Sequence, residues 1–322
     1  MPASSRPRRS ALYVPGSNAR AVEKARTAAA DVLIFDLEDS VAPEKKDAAR
    51  DAVARAVADL ATGRREIVVR INDLDSPWAA RDVAAMVAAK PDAILLPKIM
   101  RTDDIRRARA ALSAADAPKT MPLWAMIETP LAILNAGLLG AIAAIPEPSV
   151  TAFVVGTNDL GAELHVPVTP GRTALLPHLS LALLAARAHG LAILDGTFND
   201  LDDRKAFRTE CLQSRSMGFD GKTLIHPSQI PIANEAFAPS EEEIEWARNV
   251  VEAFAAPDNT GLEVMRLAGR MVERLHERQA KRLLQLADAI AAMDVKDQAE
   301  TAPPRPARLA SPKVKPQGPS RG

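Results

Sequence analysis

Short apolar runs alternate with alanine-rich amphipathic stretches along most of the chain. The runs are 11–14 (ALYV), 32–35 (VLIF), 67–70 (IVVR), 93–96 (AILL), 123–127 (LWAMI), 152–155 (AFVV), 191–194 (LAIL) and 223–225 (TLI). Each is continuous rather than alternating, as in parallel strands covered on both faces. Between them lie segments of helical length: 43–60, with Val53, Val57 and Leu60 at helical spacing and Pro43 suited to a first turn, then 102–112, 130–143, 173–189 and 200–217. Eight strand–helix units over about 250 residues predict an α/β fold, a (β/α)8 TIM barrel. An open doubly wound sheet is the runner-up, but no GxGxxG or Walker pattern accompanies it.

The ends of the chain read differently. Residues 1–9 are expected to be a flexible arm, 10–235 the barrel, and 236–294 a helical lid or oligomerisation arm. Within that arm, 240–256 opens on Ser and three Glu, and 262–293 reads as an amphipathic helix interrupted near Gly269. Residues 295–322, ending in PPRPARLASPKVKPQGPSRG, form a basic, proline-rich segment expected to be disordered.

Composition adds little to this, and charge excludes some partners. The chain is 47% hydrophobic and 25% charged, with 41 basic and 41 acidic side chains. Zero net charge gives no bulk attraction to nucleic acid or to an anionic membrane. No run approaches the roughly 20 apolar residues that span a bilayer, and the N-terminus lacks a signal-peptide apolar core. A single cysteine, Cys211, excludes an intrachain disulfide and a cysteine-based zinc site, and fits the cytoplasm.

The polar residues that follow each run carry the chemistry, because barrel active sites lie at the carboxyl ends of the strands. In chain order they are Ser17 and Asn18; Asp36, Glu38 and Asp39; Arg70 and Asn72; Lys98; Glu128; Asn158 and Asp159; Asp195; and His226. Converging strands would bring five or more carboxylates to one mouth. So many acids with few bases point to a hard divalent cation, and Mg2+ suits carboxylate, water and substrate oxygens.

The blocks RSALYVPGSN, FDLEDSVAPEKKDAAR, VVRIN, AMIETP, VVGTNDL, LDGTFND and GFDGKTLIHPSQI together resemble the HpcH/HpaI aldolase–citrate lyase family. The likeness is closest to its citrate lyase beta subunit and malyl-CoA or citramalyl-CoA lyase branch, and it covers roughly residues 9–290. It implies a Mg2+-dependent barrel that cleaves or forms carbon–carbon bonds in 3-hydroxyacyl-CoA thioesters, yielding a 2-oxo acid and acetyl-CoA or a homologue. By the same resemblance Glu128 and Asp159 bind the metal, Glu38 and Asp39 hold its waters, and Arg70 clamps the oxo-acid carboxylate. A homotrimer is implied, with an acid–base Asp of a G-x-M-I/V-D block donated across the interface. Here that block is Gly269-Arg270-Met271-Val272-Glu273, so Glu273 stands where the family has Asp.

The remaining residues leave alternatives open. Arg70 is either a structural ion pair with Glu38 or Asp39, a carboxylate clamp, or both in turn. Asp36 reads as a partner for a basic strand end, and Asp39 as a helix cap or a water-mediated metal contact. Backbone N–H groups around Ser17, before a helix carrying Arg20 and Lys24, could receive a phosphate or thioester oxygen, or Ser17 or Asn18 could simply cap a tight turn. Lys45 and Lys46 face CoA phosphates or solvent. Lys98 could form a Schiff base, although no apolar pocket is evident to activate it. Lys222 and His226 are expected to pack around the last strand, and Cys211 in the core. Other function classes remain: an aldolase for free hydroxy-oxo acids, a non-catalytic complex subunit, or a carrier-protein-dependent citryl lyase subunit.

Overall fold

The computed structural model describes residues 6–60, 64–142, 150–167, 169 and 171–301, with side chains as far as residue 293. Its elements follow in order: β1 (Ser10–Pro15), α1 (Ala19–Ala25), β2 (Val32–Asp36), α2 (Lys46–Leu60), β3 (Glu66–Arg70), α3 (Ala79–Ala89), β4 (Ala93–Leu96) and α4 (Thr102–Ala114). Then come β5 (Leu123–Ile127), α5 (Pro130–Ala141), β6 (Val150–Val155), α6 (Thr157–Glu163), α7 (Leu176–Ala188), β7 (Ala192–Asp195), α8 (Arg204–Met217), β8 (Gly221–Leu224) and α9 (Ile230–Phe237). Strands β1 to β8 pair in sequence order, all parallel, and β8 returns to β1 to close the barrel. This is the (β/α)8 architecture that the alternating runs predict.

Alternation along each strand sorts the core into two layers. Val32, Ile34, Val68, Leu95, Trp124, Met126, Val154 and Leu194 fill the barrel interior. Their neighbours, such as Leu33, Phe35, Val69, Ile94, Ile127 and Phe153, pack outward under the helices. A strand therefore delivers a side chain to the mouth only if it shares parity with the interior set. Asp36, Arg70 and Glu128 do. Asp195, one residue after inward Leu194, does not.

Three expectations are corrected at the ends. Arg8 and Arg9, assigned to a flexible arm, are buried under the barrel: Arg8 pairs with Glu66 at 2.6 Å and Arg9 with Asp31 at 2.8 Å. Buried guanidinium groups need such partners, which are supplied by the amino ends of the strands. Residues 1–5 lie outside the described residues. Residues 262–293 are not one interrupted helix. A hairpin, β9 (Val264–Leu267) and β10 (Arg270–Glu273), precedes α11 (Arg274–Thr301). Ala268 and Gly269 both take positive φ, 46° and 81°, as a two-residue turn between twisted strands requires. The helix also continues past residue 295, where the tail was expected to begin; residues 302–322 lie outside the described residues.

The arm is built on α10 (Glu241–Ala255), where Ser240 and Glu243 cap each other reciprocally. Helices α10 and α11 and the hairpin enclose a small core of Ala247, Val250, Phe254, Val272 and Ala280. Arg270 stacks over Trp246 and Arg274 over Phe254. Among the described residues no helix is long and apolar enough to cross a membrane.

Candidate active site

At the carboxyl end of the barrel lies a cavity of about 350 Å³, whose lining includes Tyr13, Asp39, Arg70, Met126, Thr157 and Asp159. Arg70 ends β3 and is buried. Its Nε and Nη2 donate to the two oxygens of Asp36, at 2.7 and 2.8 Å. Its Nη1 lies 3.0 Å from Glu38 Oε2 and 3.2 Å from Asp39. Asp36 also accepts the backbone N–H groups of Glu38 and Ser40, which folds the LEDS loop over the strand end. Burial alone would raise the Asp36 carboxyl, but the Arg70 charge and these donors hold it below the ordinary range. Both structural readings of these residues therefore hold: Asp36 is the basic strand end's partner, and Arg70 is ion-paired. Asp36 takes the Nε–Nη2 edge of Arg70, which leaves its outer Nη1–Nη2 end toward Glu38, Asp39 and the cavity.

Glu128 follows β5 and is also buried, with Oε1 accepting the Lys98 backbone N–H at 2.7 Å. Thr129, not Glu128, caps α5, which leaves the carboxylate free to face inward. Gly156 makes the approach possible: a Cβ there would lie 2.5 Å from Glu128 Cβ and 2.7 Å from Oε2. Burial, with the charges of Glu38 and Asp159, pushes the Glu128 carboxyl up to about 8, against the pull of the Lys98 N–H. Burial and Asp39 likewise push Glu38 up to about 7, against Arg70 and Lys98. Neither Glu38 oxygen receives a well-aligned hydrogen bond, although Oε1 lies 3.2 Å from Lys98 Nζ. Asp159 lies exposed in the first turn of α6, where the helix dipole favours a carboxylate.

Asp36, Glu38, Asp39, Glu128 and Asp159 thus gather around Arg70, Lys98 and the buried Lys46. Burial is the largest cause of both raised pKa values, and the neighbouring acids add to it. Glu128 and Asp159 at one mouth fit a Mg2+ ion, which takes one or two carboxylates and keeps the rest of its shell for water and substrate. Among the described residues no three His, Cys, Asp or Glu side chains form a ready-made cage.

Other expectations meet mixed outcomes. Ser17, Arg20 and Lys24 are exposed beyond β1, where Asn18 caps α1. Lys45 is exposed, but Lys46 faces neither solvent nor phosphate. Its buried Nζ donates to the carbonyls of Leu37 and Glu38 and to Asn72 Oδ1, at 2.6–2.8 Å, and it stacks on Trp78. It ties down the acid-bearing loop, a role no local sequence signal announces. Asp195 does not join the mouth: it points outward to Arg172, Ser214 and Lys222. Cys211 is buried in the core, and His226 caps a short turn through Ser228. Glu273 is exposed on the hairpin, and no arm residue is among those lining the cavity. Tyr13, Met126 and Gly156 are site residues the sequence reading missed.

Known proteins resemble this chain over most of its length. The HpcH/HpaI aldolase/citrate lyase family profile matches residues 9–227. A (3S)-malyl-CoA thioesterase of Cereibacter sphaeroides is 47% identical over 286 residues, covering 89% of this chain and 96% of that protein. Citrate lyase subunit beta of Escherichia coli is 36% identical over 273 residues, covering 83% and 89%. Among solved structures, the protein CitE from Mycobacterium tuberculosis in complex with magnesium, acetoacetate and coenzyme A superposes with a TM-score of 0.69. It is 29% identical, and the match covers 87% of this chain and 97% of that one. The chain is a lyase-type enzyme belonging to the HpcH/HpaI aldolase/citrate lyase family.

Proposed function

We propose that the enzyme cleaves, or in reverse forms, the carbon–carbon bond of a malyl-type 3-hydroxyacyl-CoA thioester, with Mg2+ held by Glu128 and Asp159. The observation that carries this is the cation-poor carboxylate cluster beside Arg70 at the barrel mouth. Mg2+ there supplies a Lewis acid for the oxygens of the hydroxy-acid end. Arg70 Nη1 binds that end's carboxylate, and Lys46 and Asp36 hold the loop so that Glu38 and Asp39 face the same space. The hydroxyl proton leaves to a base, the C2–C3 bond breaks, and its electrons pass into the thioester enolate. Glu273 of a neighbouring subunit in a trimer delivers the proton that turns the enolate into acetyl-CoA. Ser17, Arg20 and Lys24, exposed beyond β1, receive the CoA portion. The CitE complex with magnesium, acetoacetate and coenzyme A supports this ligand set. A lone buried cysteine suits a cytoplasmic setting.

Two observations favour a second reading, thioester hydrolysis: the name borne by the 47% identical relative, and Glu273 itself. One extra methylene moves a carboxylate by about 1 Å, enough to disable a tuned proton transfer to carbon. A water attacking the thioester carbonyl would then break the C–S bond, releasing malate and CoA. Incubation with (3S)-malyl-CoA and Mg2+ separates the readings. Acetyl-CoA with glyoxylate means carbon–carbon scission, malate with free CoA means hydrolysis, and turnover of the free hydroxy acid alone would overturn both.

A further inference from the structure

Arg70 Nη1 is the donor that Asp36 does not take: it bonds to the exposed Asp39 at 3.2 Å, and a second donor meets it nearby. With Nε and Nη2 closed by Asp36, Nη1 lies 3.6 Å from the Met126 sulfur. The Tyr13 hydroxyl donates to the same sulfur from 3.9 Å, and the Tyr13 ring lies under the guanidinium, 5.0 Å from ring centroid to Cζ. A thioether is a weak acceptor. The phenol is therefore a donor without a good acceptor, beside a guanidinium N–H whose own acceptor is the exposed Asp39. Among the described residues the phenol has no other hydrogen-bond partner, and phenylalanine would fill the same packing space. Tyr13 and Met126 both line the cavity.

We propose that Tyr13 is the second binding residue for the oxo-acid carboxylate, its hydroxyl and Arg70 Nη1 taking that group together above the Met126 sulfur. This deepens, and rests on, the assignment of the cavity to an oxo acid. With the Nε–Nη2 edge of Arg70 held by Asp36, the carboxylate is shared between the outer guanidinium N–H and the phenol. Burial, against the pull of Arg70 and with help from Asp36, pushes the phenol's pKa well up, so it remains a donor at every working pH.

The test is the dissociation constant of glyoxylate, measured by calorimetry on the full chain with saturating Mg2+, for wild type and Tyr13→Phe. The phenylalanine ring keeps the surface under Arg70 and removes only the donor. Losing a hydrogen bond to a charged group should weaken glyoxylate binding about 10- to 100-fold, with coenzyme A affinity and Tm unchanged. Equal glyoxylate affinity in both proteins overturns the role of Tyr13 while leaving the oxo-acid site standing. A parallel loss of glyoxylate binding, coenzyme A binding and Tm assigns Tyr13 to packing and also overturns it. No glyoxylate binding by the wild type removes the oxo-acid site itself.

Discussion

Two of the barrel's charge clusters lie one β-strand residue out of phase with each other. The cluster between β7, β8 and α8 is closed: Asp195 accepts from Arg172 and Lys222 at 2.6–2.8 Å, and Lys222 also reaches Glu210 at 2.7 Å. Two acids face two cations, and although burial alone would raise it, Asp195 is held down at about 2 by those cations. The cluster at the mouth is open: its acids outnumber its cations, and burial pushes Glu128 up to about 8. Similar burial with opposite pKa displacement separates a charge-balanced clamp from a cluster whose acids exceed its cations. Strongly shifted carboxyls alone would not have done so.

The largest effect should come from opening the closed cluster. Asp195→Asn leaves Arg172 and Lys222 sharing only Glu210, and should cost about 3–5 kcal/mol of folding free energy in urea titrations. Asp195 titrates at about 2 in the folded protein and about 3.9 unfolded. A depressed carboxyl stabilises the fold in full above the unfolded value. The gap between wild type and variant should therefore be complete above about pH 4 and shrink as pH falls through 2. Equal stability at pH 7 would show that the cluster contributes nothing. Glu128→Gln should behave the opposite way. With Mg2+ absent, stability should stay within about 1 kcal/mol of wild type, because the amide resembles a carboxyl that is already largely protonated. Mg2+ affinity and kcat/KM should each fall at least about 100-fold. A variant with full Mg2+ affinity would remove the proposed ligand.

The same phase difference explains how much the sequence disclosed. Continuous apolar runs located all eight strands, and strand-end listing found Arg70, Glu128 and Asp159. It also placed Asp195 at the mouth, because a run such as LAIL carries no polar marker of which residues face inward. The pairing of Asp36 with Arg70, 34 positions away, was legible only as a need for some partner. Lys46 looked like a solvated lysine of a first helical turn, since its acceptors come from a loop and from β3's exit. The hairpin at 264–273 was read as helix because four-residue strands are too short to show their period.

The smallest effect is expected at the residue that looked most like a covalent catalyst. A Schiff-base lysine needs its amine neutral, hence a lowered pKa. Burial at Lys98 acts in that direction, but Glu38, Asp39 and Glu128 outweigh it and raise the value. The side chain is 47% exposed, and its one ion pair, to Glu38, spans 3.2 Å. What the position gives the site is its backbone: at φ 52° the N–H turns toward Glu128 Oε1. Methionine can hold that backbone as well as lysine. Lys98→Met should therefore lower kcat/KM by no more than about fivefold, the worth of a half-exposed ion pair. Borohydride added during turnover should leave no reduced adduct on the wild-type chain. Abolished activity together with a trapped adduct at Lys98 would move the chemistry from the open carboxylate cluster to the amine.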